Sequence, residues 1–127
     1  MVDVRYLIYG LVDKYGSLYE MIVADNDDKA LDLFKKVILG FTQDFNINDK
    51  EQVALFANQI LYTHLCLICS VPVINVLGEN VITINKSIIP VYEFICKNAT
   101  LFSTEILKIA QDVSLKVYES RGGDINE

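Results

Sequence analysis

The stretch DNDDKALDLFKKVILG, residues 25–40, carries the strongest local signal in this sequence. Its first four residues are polar and mostly acidic, so they can cap a helix and complement the positive end of its dipole. Lys35 and Lys36 lie towards the other end, where positive charge is favourable, and Gly40 follows. Apolar residues recur at helical spacing and form one face: Ala30, Leu33, Phe34, Val37 and Ile38. These features predict a helix from about Asp27 to Leu39.

Two apolar segments before this helix predict a β-hairpin. Residues 4–12 are rich in Val, Ile, Leu and Tyr, and apolar residues occupy both odd- and even-numbered positions, which would place them on both faces of a strand. This pattern is typical of a strand that is covered on both faces, or nearly so. The sequence DKYG, residues 13–16, is turn-like because Gly16 can adopt a positive φ. Residues 18–23 then return as the second strand.

A second helix is predicted after a loop over residues 41–47. Asn48, followed three residues later by Glu51, resembles a capping box that starts a helix. The helix then continues through apolar residues, namely Val53, Leu55, Phe56 and Ile60.

Two interpretations remain for the segment that follows, residues 61–72 above all. A buried strand over 64–76 fits its apolar run, whereas a continued helix would end at about Ser70, before Pro72. We favour the strand, because LGEN at 77–80 then forms a hairpin turn into a further strand at VITI. In a strand, the proline requires an edge position or a bulge.

The C-terminal part of the chain predicts a third helix. Residues 90–98 are ambiguous, and the helix begins near Ser103 or Thr104, either of which can cap it. Its apolar residues recur at helical spacing: Ile106, Leu107, Ile109, Ala110, Val113, Leu115 and Val117. The glycine pair at 122–123 ends it.

Length and composition predict one α+β domain. The fold class comprises an N-terminal β-hairpin, helices, further antiparallel strands and a C-terminal helix. We expect a single domain over residues 1–121 and a frayed tail over 122–127, since the chain has 127 residues and no linker divides it. An apolar share of 52% with 22% charged residues excludes intrinsic disorder.

The charge and cysteine content narrow the function classes. A net charge of −6 disfavours contact with nucleic acid and anionic membranes, although a local basic patch remains compatible with it. Polar residues interrupt the most apolar stretch, residues 53–77, so we predict no membrane span. No signal-peptide pattern opens the chain, and three cysteines are an odd number. We therefore expect a cytoplasmic protein with reduced thiols.

No pattern in the chain predicts a catalytic or metal-binding site. The sequence CLIC at 66–69 resembles a redox motif, but residues three apart in a strand point to opposite faces, which favours two buried core cysteines. His64 is the only histidine, and we interpret it as a structural or surface residue. The aspartates within 25–32 lack calcium-loop spacing, and helix capping explains them. We predict no enzyme and no cofactor.

A weak nucleic-acid signal comes from residues around the first hairpin. The candidate contacts are Arg5, Tyr9, Lys14, Tyr15 and Tyr19, and Lys35 and Lys36 would extend a basic patch. Tyrosine rings on a sheet can stack on exposed bases. The same rings pack cross-strand pairs, an interpretation that we favour in an acidic chain.

Three motifs together resemble a known family. They are YLIY at 6–9, YGSLYE at 15–20 and ADNDDKALDLF at 24–34. They are similar to the small nonstructural protein of gokushovirus-like microviruses, icosahedral phages with circular single-stranded DNA. That family opens with a Tyr-x-Ile strand, a turn, a short second strand and an Asn-Asp pair that begins a helix. Residues 65–82 resemble its later strand and Gly-containing turn, while Asp32 stands where the family usually has Arg.

The resemblance implies a phage-encoded protein that acts in the bacterial cytoplasm during genome replication or packaging, without catalytic residues. We predict a non-enzymatic accessory protein that works through protein contacts. Self-association is expected as well, because the apolar content is high and Pro72 suggests an exposed sheet edge. One alternative is a single-stranded DNA-binding module that uses the tyrosine-bearing hairpin. The other is a small enzyme whose site is not visible in the sequence.

Overall fold

The computed structural model describes residues 5–43, 45–73 and 81–121. The strands in these ranges are β1 (Arg5–Val12), β2 (Leu18–Ala24), β3 (His64–Pro72) and β4 (Ile82–Pro90). The helices are α1 (Asp27–Thr42), α2 (Lys50–Tyr62), α3 (Val91–Lys97) and α4 (Thr104–Ser120), with a 3-10 turn at Ala99–Leu101. The strands form one antiparallel sheet in the order β2-β1-β3-β4. This architecture confirms the predicted α+β class.

The N-terminal hairpin forms as predicted. The backbone N–H of Asp13 donates to the carbonyl oxygen of Ser17 (3.1 Å), and that of Gly16 donates to the carbonyl of Asp13 (3.0 Å). Gly16 has a φ of 80°, a conformation that costs glycine little. Further along β2 a bulge interrupts the pairing with β1, at the point where Glu20 has a φ of 51°.

Helix α1 confirms the prediction made from residues 25–40. The side chain of Asn26 accepts the backbone N–H of Lys29 (2.9 Å), and acidic residues occupy the first turn. The helix continues through Gly40 to Thr42, so the expected end at Leu39 is three residues short. Lys35 is therefore not in the last turn. It pairs instead with an aspartate on its own helix, at 3.2 Å.

Helix α2 begins one residue later than the capping-box prediction requires. Asp49, not Asn48, is the N-cap, and its carboxylate accepts the backbone N–H groups of Glu51 (3.0 Å) and Gln52 (3.3 Å). The Gln52 side chain in turn accepts the N–H of Asn46 (3.1 Å). An aspartate is as good a cap as an asparagine, so local sequence leaves the choice between two neighbouring residues open.

The strand interpretation is confirmed over His64–Pro72, and the helical alternative for this segment is wrong. The expectation of an edge position is also wrong, because β3 lies between β1 and β4, and Pro72 is simply its last residue. The further strand extends well beyond the predicted VITI segment, to Pro90. The predicted turn at 77–80 lies outside the described residues.

The C-terminal helix confirms the prediction from Ser103, whose hydroxyl oxygen accepts the backbone N–H of Ile106 (3.2 Å). Within the ambiguous residues 90–98, Val91–Lys97 form α3, a helix of only seven residues. Such a short helix has little stability of its own, so it depends on burial of its apolar side chains. Four of them are buried: Val91, Tyr92, Phe94 and Ile95. The glycine pair and the predicted frayed tail lie outside the described residues.

The core lies between one face of the sheet and the helices. All four described helices contribute buried side chains to a single cluster with Tyr9, Leu11 and Leu65 of the central strands. Tyr9 and Ile95 are fully buried, and Phe34 is 1% exposed. The Tyr9 hydroxyl donates to the Asp27 carboxylate at the start of α1 (2.6 Å), which ties the sheet to that helix. The described helices share one side of β1, and on this strand only Tyr6 is exposed, so the pattern of a strand covered on both faces, or nearly so, arises with helices on one side alone.

Candidate functional site

The other face of the sheet is not covered by the described helices. Strand pairing places Val23 beside Ile8, Ile8 beside Cys69, and Cys69 beside Thr83, so one row crosses all four strands. We call this surface the open face. Its strand-paired positions are Tyr6, Ile8, Gly10, Val12, Leu18, Val23, His64, Cys66, Cys69, Val71, Thr83 and Ser87. None of these is Asp, Glu, Lys or Arg, in a chain that is 22% charged.

Apolar side chains of the open face remain accessible. Tyr6 is 44% exposed, Leu18 is 40% exposed and Val23 is 53% exposed. The Leu18 side chain lies over Gly10, in the space that a Cβ at that position would need. At its strand-paired positions the open face is thus uncharged and largely apolar, while the exposed residues Glu20 and Met21 lie in the β2 bulge beside Gly10. Exposed apolar surfaces of this kind mark contact sites on proteins.

Partial burial favours the neutral forms of two groups on the open face, His64 and Cys66. The His64 Nδ1 lies 2.8 Å from the Ser87 hydroxyl, and partial burial lowers the pKa of this imidazole. Burial raises the pKa of the Cys66 thiol. A thiol kept protonated is a poor nucleophile and a poor metal ligand, so this pair does not resemble an activated Cys–His site.

The two cysteines of the CLIC sequence do not diverge as the sequence suggested. Cys69 pairs with Ile8 and Cys66 pairs with Gly10, so both lie on the open face. A bulge at Ile68 adds one residue to β3 between the two cysteines, so both of their side chains lie on the same face of the sheet. Both thiols are free and half-buried on this open face, which corrects the prediction of two buried core cysteines.

The acidic residues around the start of α1 have structural partners. Asp25 pairs with Lys29 at 2.8 Å, and Asp27 accepts the Tyr9 hydroxyl. Within the described ranges, no three His, Cys, Asp or Glu side chains converge in a way that could hold a metal ion. None of the helices in the same ranges combines the length and apolar character needed to cross a bilayer.

The structure separates the five nucleic-acid candidates. Arg5 lies at the start of β1, where its guanidinium donates to the Ser70 hydroxyl (2.6 Å) and the Ser70 carbonyl (3.0 Å). Lys14 and Tyr15 are in the turn beyond the other end of that strand, about 23 Å away at 3.3 Å per residue. The ring of Tyr9 is fully buried in the core and has no face open to a base. The predicted basic patch is therefore dispersed, since Lys35 pairs on α1.

Lys14, Tyr15 and the fifth candidate, Tyr19, meet at the mouth of a cleft of about 440 Å³. The cleft lies between the hairpin turn, the end of α1 and the end of α2. Its floor is apolar and buried, formed by Leu11, Ile38, Phe56, Ile60 and Val91. Its rim carries Asp13, Lys14, Tyr15, Tyr19, Phe41, Asn58, Gln59, Tyr62 and Thr63. We call it the aromatic cleft.

Hydrogen bonds from the hairpin hold the charged rim of the aromatic cleft. The Asp13 carboxylate accepts the N–H groups of Tyr15 and Ser17, both at 2.9 Å, and the Tyr19 hydroxyl at 2.6 Å. The hydrogen bond from Tyr19 lowers the pKa of Asp13, helped by the backbone donors and by the charge of Lys14. The Lys14 ammonium lies 5.2 Å from the ring centre of Tyr15 and 5.1 Å from that of Tyr62, within cation–π range.

Sequence reasoning found the hairpin side of the aromatic cleft and missed the helical side. Phe41, Phe56 and Tyr62 reach it from the ends and middle of two helices. The only sequence signal for them is that Phe41 and Tyr62 lie at helix ends, where an aromatic side chain is often part-exposed. His64 and Cys66 are not among the residues that line this cleft, and they lie on the open face instead.

The fold and these two surfaces define a two-layer α+β domain with one helix-covered face and one open face. Comparisons with protein-family models, curated proteins and solved structures find no match. The resemblance to the microvirus nonstructural protein therefore stays a prediction based on the three motifs.

Proposed function

We propose that this chain is a non-enzymatic phage accessory protein that works through protein contacts made by its open face. The observation that carries the proposal is the apolar patch on which Tyr6, Leu18 and Val23 stay accessible. Covering such side chains removes apolar area from water and contributes about 25 cal/mol per Å². The resemblance of the N-terminal motifs supports a role in the bacterial cytoplasm, during genome replication or packaging.

The partner that best fits the open face is a second copy of the chain. Four strands at about 4.8 Å spacing and roughly 25 Å long present about 500 Å² of sheet on each copy. Two such faces bury about 1,000 Å², which reaches the lower bound for a specific interface. In a two-fold dimer each patch meets itself, so chains of net charge −6 associate best through positions that carry no charge, such as the paired positions of the open face.

Substituting Val23 with Asp tests this interface. Val23 is 53% exposed, so V23D changes the folded monomer little but places a carboxylate in the proposed contact. We expect the wild type to form a dimer in sedimentation velocity over a concentration series. V23D should raise the dimer dissociation constant by at least about tenfold.

The matched control is L55D, which puts the same charge on an apolar residue that is 65% exposed on α2. It should leave the dissociation constant unchanged. A wild-type monomer at every concentration would contradict self-association. Equal effects of V23D and L55D would show that charge in general, and not the open face, governs association.

A single-stranded DNA-binding role is the second candidate, favoured by the ammonium of Lys14 between the rings of Tyr15 and Tyr62. Tyr15 is 80% exposed and can stack on a base. If this role holds, labelled single-stranded DNA should gain anisotropy on binding, and the affinity should fall steeply with salt. The distance of Arg5 from this turn counts against a DNA-binding role. Absence of binding at low salt would contradict that role.

A further inference from the structure

The aromatic cleft lies on the helix side of the sheet, away from the open face, and the proposed contacts between copies do not use it. Its volume of about 440 Å³ falls within the usual range of small-molecule sites. We propose that the aromatic cleft binds a small molecule with an apolar, ring-bearing body and a single carboxylate, and that Lys14 receives the carboxylate.

The lining of the cleft defines the body of this ligand. The floor consists of buried aliphatic and aromatic side chains, among them Leu11, Ile38 and Phe56. Tyr19 and Phe41 stand at the rim, 48% and 54% exposed, and offer ring surfaces that a bound molecule would cover. Flat apolar rings suit such walls, since aromatic pairs stabilise each other beyond the area that they bury.

The charge of the rim defines the head group. Lys14 forms no ion pair with any carboxylate of the described residues, whereas the Asp13 carboxylate accepts hydrogen bonds from three donors of its own hairpin. The two tyrosine rings fix the position of the ammonium at the mouth of the cleft. Asp13 keeps its charge, so Lys14 is the lining residue of the cleft that can pair with an anion, and its single charge suits a monoanion. A phosphate would need more donors than one lysine supplies, in a chain of net charge −6.

The test compares two probes of the same shape, 2-naphthoate and its neutral analogue 2-naphthamide, by isothermal titration calorimetry. Both should bind the wild type, and the carboxylate should bind about fivefold more tightly, the ratio expected of one partly exposed ion pair. In K14M the preference for the carboxylate should disappear while the affinity for the amide stays the same. K36M, which removes an exposed lysine of α1 outside the cleft, should keep the preference.

Two further variants locate the apolar body. F41A should weaken both probes by the same factor, because Phe41 lines the cleft but lies away from the charge. V23D, on the open face, should leave both affinities unchanged, so a failure of the proposed dimer does not affect this result. Failure of both probes to bind, or a carboxylate preference that persists in K14M, would overturn the proposal.

Discussion

Replacing Phe34 with alanine is expected to lower the free energy of unfolding by about 3–5 kcal/mol. Phe34 is 1% exposed and lies at the centre of the buried face of α1. The truncation removes a ring from contact with its neighbours and leaves a cavity that close-packed surroundings refill only in part. A domain of this size has about 5–15 kcal/mol of stability in total, so the loss is a large share of it. Urea denaturation followed by circular dichroism measures the effect.

The adjacent residue on the same helix provides the control for Phe34. Leu33 is 43% exposed, and L33A should cost less than about 1 kcal/mol because the leucine already contacts water. The two substitutions therefore separate the buried from the exposed side of α1. Equal losses for F34A and L33A would contradict the packing of α1 through this face.

Raising the pH above about 10 is expected to destabilise the protein through Tyr9. Burial, followed by the hydrogen bond to Asp27 and the charge of that carboxylate, raises the pKa of the Tyr9 phenol well above its usual value near 10. The folded state therefore holds the proton after the unfolded state has released it. The stabilisation is complete below the unfolded pKa and is lost as the pH rises towards the folded one. The slope approaches about 1.4 kcal/mol per pH unit in that window.

The Tyr9→Phe variant isolates this contribution. At neutral pH the loss of the hydroxyl's hydrogen bond should cost about 1.5 kcal/mol, because its acceptor is a charged carboxylate. Above pH 10 the variant should lose stability less steeply than the wild type, so the difference between their unfolding free energies should shrink and then change sign. Urea titrations at several pH values from neutral to 11.5 provide the comparison. Parallel curves for the two proteins throughout this range would contradict the assignment to Tyr9.

The elements that the sequence predicted are those that short-range interactions specify. Capping side chains and helical spacing predicted α1 and α4, because a cap and its helix lie within a few residues of each other. The Gly16 turn likewise predicted the hairpin. The helix boundaries differ from the prediction in two places. Gly40 does not end α1, which continues to Thr42. Asp49 caps α2 in place of Asn48, since both residue types are good N-caps.

Contacts between distant segments decided what periodicity left open. The bulge at Ile68 arises from pairing with β1 and places Cys66 and Cys69 on one face, against the alternation that a regular strand has. The interior position of β3 also depends on that pairing, which is why Pro72 gave a misleading sign of an exposed edge. Residues 91–97 become helical because the core buries their apolar side chains, since so short a helix has little stability of its own.

By itself, then, the sequence determined the α+β class, the hairpin and the two capped helices α1 and α4, because each depends on residues close together in the chain. Only the tertiary structure decided which face of the sheet the helices cover and which side chains meet at the aromatic cleft. Lys14 and Tyr62 are far apart in sequence and become neighbours when α2 returns to the hairpin. No local pattern encodes such a contact, since it exists only after the helices and the sheet have packed.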